Sequence, residues 1–73
     1  MTQSEVKDLA ERLAGAPEPL PGDLRKQFID VRAALFARGI YDPVLVRFDS
    51  ATVPRASVPE IAAQLAIVAQ SLA

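Results

Sequence analysis

The sequence contains no cysteine and no histidine, and these two absences remove most of the chemistry that small proteins commonly use. Without cysteine the chain cannot form a disulfide or a thiolate metal site. Without histidine it lacks the commonest metal ligand and the commonest general base. Near the N-terminus, the acidic side chains alternate with basic ones, which is typical of a solvated helix face. These residues are Glu5, Lys7, Asp8, Glu11 and Arg12. We therefore expect no enzyme activity, no metal, no cofactor and no small-molecule substrate.

Long apolar runs and a strong net charge are also missing. No apolar run reaches the roughly 18–20 residues that span a membrane. The net charge is −1, which gives no overall attraction to nucleic acid or to an anionic membrane. The N-terminus has no basic stretch followed by an apolar core, so we expect no secretory signal and a cytoplasmic location.

The length of 73 residues predicts a single small helical domain over residues 1–73. Hydrophobic residues make up 51% of the chain, which is too many for a disordered protein. A domain of this size buries only about 60% of the surface that its unfolded chain exposes, so its stability is marginal. Association with a second copy or with another protein is the route to stability that the composition leaves open.

The spacing of apolar residues predicts an all-α fold, a small bundle with three main helices. The first covers about residues 3–14, with Thr2 and Glu5 as a capping box and Gly15 as its stop. Three prolines within residues 16–22 then predict an extended connector.

The second predicted helix covers about residues 23–38, with Asp23 as its N-cap and Gly39 as its stop. It has two apolar stripes, rotated by on the order of 120° from each other. The first comprises Leu24, Phe28, Val31 and Leu35, and the second Ile29, Ala33, Phe36 and Ile40. Two stripes predict neighbours on two sides, and hence a central place in the fold.

Residues 43–49 are ambiguous between a short fourth helix and a strand. Asp42 followed by Pro43 is a strong helix start, whereas alternating valines favour a strand. A lone strand would need a second copy to pair with, so we favour the helix. We expect Tyr41 and Phe48 to pack against the second or the last helix.

The last predicted helix covers about residues 58–72, with Ser57 and Glu60 as a second capping box. After Glu60 it has no charged side chain. If its apolar stripe faces the core, Ile67 points away from the core, beside Ala63, Gln64 and Gln70. The outer face of this helix is therefore a candidate for contact with a partner.

Charge is divided unevenly along the chain. Residues 1–23 hold five acidic and two basic side chains, and residues 24–56 hold six basic and three acidic ones. We expect the acidic segment to lie on the basic one. The basic side chains of the second helix, which could also hold an anionic ligand, are Arg25, Lys26, Arg32 and Arg38. They suggest an alternative function, a small nucleic-acid-binding regulator that uses the basic second helix, although Asp30 interrupts them.

The function predicted from the sequence is a non-catalytic protein-interaction module, such as a small adaptor, accessory subunit or regulator. It would bind another protein or a second copy of itself through apolar helix faces, and we expect a homodimer. The candidate partner-binding residues lie on the last helix and on the second stripe of the second helix: Ile67, Ala63, Gln64, Gln70, Ile29, Phe36 and Ile40.

Overall fold

The computed structural model describes residues 3–72, which form helices, turns and loops and contain no strand. The elements in chain order are α1 (Gln3–Ala14), α2 (Gly22–Ala37), α3 (Pro43–Arg47), a 3-10 turn (Val53–Arg55) and α4 (Val58–Ser71). The all-α bundle with three main helices is confirmed. The ambiguous segment at 43–49 begins with a short helix, as favoured, and not with a strand.

The antiparallel helices α1 and α4 form the most extensive helix contact of the fold. Near one end, the side-chain amide of Gln3 donates a hydrogen bond of 2.9 Å to the carbonyl oxygen of Ala69. At the other end, Ala14 of α1 and Pro59 of α4 line one groove between the two helices. The side chains that both helices bury in the common core are Val6, Leu9, Ala10 and Leu13 of α1 and Val58, Ile61, Ala62, Leu65, Val68 and Ala69 of α4.

Helix α2 packs beside this pair, so the prediction that it is the central element is wrong. Phe28 and Leu35 of its first stripe are fully buried. In the second stripe, Ile29 and Phe36 are half-buried and Ala33 is exposed. The contact of α2 with α1 is much smaller than that of α4 with α1. The second stripe therefore packs at the edge of the core through Ile29, Phe36 and Ile40.

The N-terminus of α2 lies one residue earlier than predicted. The helix begins at Gly22, and the N-cap position is held by Pro21, which makes no side-chain cap hydrogen bond. Asp23 is therefore not the N-cap; it lies in the first turn, where its negative charge still favours the positive end of the helix dipole. The capping box predicted for Thr2 and Glu5 lies outside the described residues because Thr2 is not among them.

The predicted stop of α2 at Gly39 is confirmed. Gly39 has a φ of +81°, a left-handed conformation that glycine adopts without steric cost. The N–H of Gly39 donates to the carbonyl of Phe36, and the N–H of Ile40 donates to that of Leu35, each at 3.0 Å. This is a Schellman motif. Gly15 is different, because its φ is not positive and α1 ends without such a motif.

The N-terminus of α4 is capped by a residue that is distant in the sequence. Ser57 occupies the N-cap position, but its side chain makes no cap hydrogen bond, so the capping box with Glu60 is wrong. Instead, the carboxylate of Glu18 in the proline-rich connector accepts a hydrogen bond of 2.7 Å from the N–H of Val58. Glu60 forms an ion pair with Arg47 of α3. The connector and α3 thus both hold the start of α4.

The short helix α3 links α2 to α4. Its predicted N-cap is confirmed, because one carboxylate oxygen of Asp42 accepts a hydrogen bond of 2.9 Å from the N–H of Val44. The other carboxylate oxygen accepts one of 2.6 Å from the side chain of Gln64 on α4. Leu45 is fully buried, and its carbonyl oxygen accepts a hydrogen bond of 2.7 Å from Arg32 on α2. These contacts hold α3 against both α2 and α4.

Candidate protein-interaction surface

Three large apolar side chains are more than half exposed within residues 3–72. Tyr41 is 65% exposed, Ile67 is 57% exposed and Val46 is 52% exposed. Ile67 points away from the core, as the helical spacing predicts. A single exposed isoleucine is common in folded proteins, so the surroundings decide whether it marks a binding surface.

The outer face of α4 around Ile67 contains almost no charge. Its exposed side chains are Pro59, Glu60, Ala63, Ala66, Ile67, Gln70 and Ser71. The one charge is Glu60, which is paired with Arg47. Covering this face would remove small apolar groups from water and would leave no unpaired charge behind. We call this surface the α4 face.

A groove between α1 and α4 continues the α4 face on the side away from α2. Its volume is about 430 Å³, and its lining residues are Lys7, Ala10, Glu11, Ala14, Pro59, Ala62, Ala63 and Ala66. Most of these side chains end in a methyl group, so the backbone of another chain can approach closely. Ala63 belongs both to the groove and to the α4 face. The two features therefore form one continuous surface.

Tyr41 directly precedes a residue that is hydrogen-bonded to α4 beside the α4 face. Its ring centroid is 5.3 Å from that of Phe36, with the ring planes tilted by 36°. The next residue, Asp42, is hydrogen-bonded to Gln64. Gln64 and Ile67 are three residues apart on α4, so their side chains are neighbours on the helix surface. The hydrogen bond between Asp42 and Gln64 thus has Tyr41 as the sequence neighbour of one partner and Ile67 one helical turn from the other.

The prediction for Tyr41 is confirmed only in part. The ring packs against the second helix through Phe36, but most of it is exposed, and Tyr41 was not among the candidate partner-binding residues. No local signal in the sequence indicates this exposure, because Ile40, in the same short segment between Gly39 and Asp42, is half-buried. Phe48 is half-buried, and the guanidinium carbon of Arg47 lies 4.9 Å from its ring centroid.

The structure divides the predicted partner-binding residues into three places. Ala63, Gln64, Ile67 and Gln70 lie on successive turns of α4, as expected from their spacing. Phe36 and Ile40 adjoin Tyr41. Ile29 lies apart from both groups, in a cleft of about 330 Å³ between α2 and the loop that follows α3.

The basic side chains of α2 do not share one environment. Arg32 is engaged within the fold, because it donates to the carbonyl of Leu45 and its guanidinium carbon lies 4.5 Å from the ring centroid of Phe36. Arg25 and Lys26 line the cleft that contains Ile29, together with the acidic Asp30. At the contact of α2 with α1, Arg12 donates a hydrogen bond of 3.1 Å to Gln27.

The loop after α3 is organised by the carboxylate of Asp49. It accepts hydrogen bonds from the backbone N–H groups of Thr52 and Ala51 and from the hydroxyl of Thr52, at 2.9–3.1 Å. The amide of Thr52 contributes most to lowering the pKa of Asp49 from its ordinary value, followed by the amide of Ala51 and the Thr52 hydroxyl. All the groups that bind this carboxylate come from its own turn, so we interpret the turn as structural.

No helix within residues 3–72 has the length and apolarity needed to cross a membrane. The same residues contain no cluster of three or more acidic side chains that could hold a metal ion. Comparison of the chain with protein-family models, curated proteins and solved structures finds no match.

Proposed function

We propose that the chain is a non-catalytic protein-interaction module, a small adaptor, accessory subunit or regulator that acts in the cytoplasm and forms a homodimer. Its docking surface is the α4 face, whose largest exposed apolar side chain is Ile67, together with Tyr41. Ile67 carries the proposal, because its side chain is 57% exposed on a face whose one charge is already paired.

The energy available from this face is modest but sufficient for a specific contact. Burying an isoleucine completely contributes roughly 1.5–3 kcal/mol, and a side chain that is just over half exposed can gain about half of that. Tyrosine is enriched among the residues that dominate binding energy, because its ring is large and has few rotatable bonds. The alanines around Ile67 lose little side-chain entropy when they are covered. These contributions to the free energy of binding favour a partner that lies along α4.

The proposal is tested by using the purified protein as bait in native lysate, in three forms. The wild type is compared with Ile67→Glu and with Ala33→Glu, which places the same charge at an exposed position of α2. Captured proteins are identified by mass spectrometry, and the affinity of each purified partner for the three baits is measured by calorimetry. We expect Ile67→Glu to weaken binding at least tenfold, which corresponds to about 1.4 kcal/mol, and Ala33→Glu to bind as the wild type does.

Two results would count against the proposal. One is a partner that binds all three baits with the same affinity, because the contact would then lie elsewhere. The other is copurified nucleic acid, detected as a high ratio of absorbance at 260 nm to that at 280 nm, with binding that weakens steeply as salt increases. That result would support the alternative, a nucleic-acid-binding regulator that uses the basic second helix.

A further inference from the structure

We infer that a second copy covers the groove between α1 and α4 with the same α1–α4 face of its own, with Lys7 of each copy paired with Glu11 of the other. This assignment, which rests on the proposed function, names the second copy's docking position. The partner copy would lie across both helices, related to the first by a twofold axis.

Charge complementarity identifies the occupant. Lys7 and Glu11 are exposed, four residues apart on α1, and both line the groove. The ion pair recorded within residues 3–72 joins Arg47 to Glu60 on α3 and α4, and neither Lys7 nor Glu11 takes part in it. A twofold axis that crosses α1 between Lys7 and Glu11 places each lysine opposite a glutamate, twice per dimer. A partner with charge of one sign here would instead meet one like charge.

The register of the two helices makes the apolar contact consistent with this axis. The hydrogen bond from Gln3 to Ala69 and the shared groove position of Ala14 and Pro59 set α1 and α4 antiparallel. In antiparallel helices aligned at these two points, the middle of the stretch from Lys7 to Glu11 lies beside the stretch from Ala63 to Ala66. A twofold axis that crosses α1 between Lys7 and Glu11 therefore crosses α4 between Ala63 and Ala66. The small side chains of α4 then meet those of the second copy, which lets the two helices approach closely. Ile67 borders this contact and covers its edge.

The size of the contact predicts a weak dimer. Helices of 12 and 14 residues are about 18 and 21 Å long, and two adjacent helices are about 20 Å wide. Their common face therefore covers about 400 Å² per copy, roughly half of the area that stable interfaces bury. We expect dissociation constants in the micromolar range or weaker, so the measurement must extend to high protein concentration.

A charge-exchange experiment tests the pairing. Lys7→Glu gives a groove with two acidic side chains, and Glu11→Lys gives one with two basic side chains. Sedimentation equilibrium should show that each variant alone self-associates at least threefold more weakly than the wild type. An equimolar mixture should associate at least as tightly as the wild type, because both interchain pairs then join opposite charges. The double variant Lys7→Glu/Glu11→Lys should recover the wild-type affinity, and 1 M salt should reduce these differences.

Folding and association are separated by circular dichroism. Both positions are exposed, and like charges four residues apart on a helix destabilise it only slightly, so all variants should remain helical. The inference is overturned if the mixture associates no more tightly than its components, or if the single variants dimerise like the wild type. If Ile67→Glu breaks the dimer while the charge variants do not, the homodimer of the proposed function stands and this placement is wrong. If the wild type stays monomeric, the placement is wrong, whereas Ile67-dependent capture of a different protein would still support an interaction module.

Discussion

Replacing Phe28 with alanine should remove a large part of the stability of the fold. Phe28 is fully buried and is the largest of the fully buried side chains. Truncation of a buried phenylalanine to alanine costs about 3–5 kcal/mol. At about 0.05–0.15 kcal/mol per residue, a chain of 73 residues has a total stability of about 4–11 kcal/mol.

The assay is urea unfolding followed by circular dichroism, with Phe36→Ala as the matched control. Phe36 lies on the same helix but is only half-buried, so its truncation should cost clearly less. With a urea slope of about 1 kcal/mol per molar for a small domain, Phe28→Ala should lower the midpoint by about 3 M or more. If Phe36→Ala lowers the midpoint more than Phe28→Ala does, the orientation of α2 is wrong.

Three further predictions concern the turns and helix ends. Asp42→Ala should lower the free energy of unfolding by about 1 kcal/mol or slightly more in urea titrations, because it removes the cap of α3 and the acceptor for Gln64; an unchanged midpoint would contradict the capping role. Glu18→Ala should cost about 1 kcal/mol and increase amide exchange in the first turn of α4, because Glu18 caps that helix; unchanged exchange at Val58 would show that another group caps it. An NMR titration should find the pKa of Asp49 below its ordinary value, because the amides of Thr52 and Ala51 stabilise the carboxylate. A lowered native pKa contributes stability that is present above the unfolded-state pKa and is lost as the pH falls through the native one. The stabilising contribution of Asp49 should therefore decrease only below about pH 4. A pKa at or above the ordinary value would refute the turn geometry.

The helices could be predicted from the sequence because their signals are local. The period of apolar residues in α1 and α4 follows from the geometry of the helix itself, and Asp42 with Pro43 favours a helix start although the following valines also fit a strand. Gly39 likewise ends α2 through its own backbone conformation. None of these features depends on which helix lies next to which.

The errors occur where the outcome depends on residues that are distant in the sequence. Ser57 and Glu60 have the spacing of a capping box, but in the folded chain Glu18 accepts from the N–H of Val58 and Arg47 pairs with the carboxylate of Glu60. The two stripes of α2 show that apolar residues cover much of its circumference. They do not show how much of that apolar surface a neighbouring helix covers. The exposure of Tyr41 depends on the same kind of information.

Sedimentation equilibrium of the wild-type protein, from micromolar to several hundred micromolar, tests the central claim most directly. If the α4 face binds a second copy, the average mass should rise with concentration from the monomer mass of 7.8 kDa towards twice that value. The rise should be much reduced in Ile67→Glu and unchanged in Ala33→Glu. A single species of 7.8 kDa at every concentration, with a melting temperature that is independent of concentration, would contradict the homodimer.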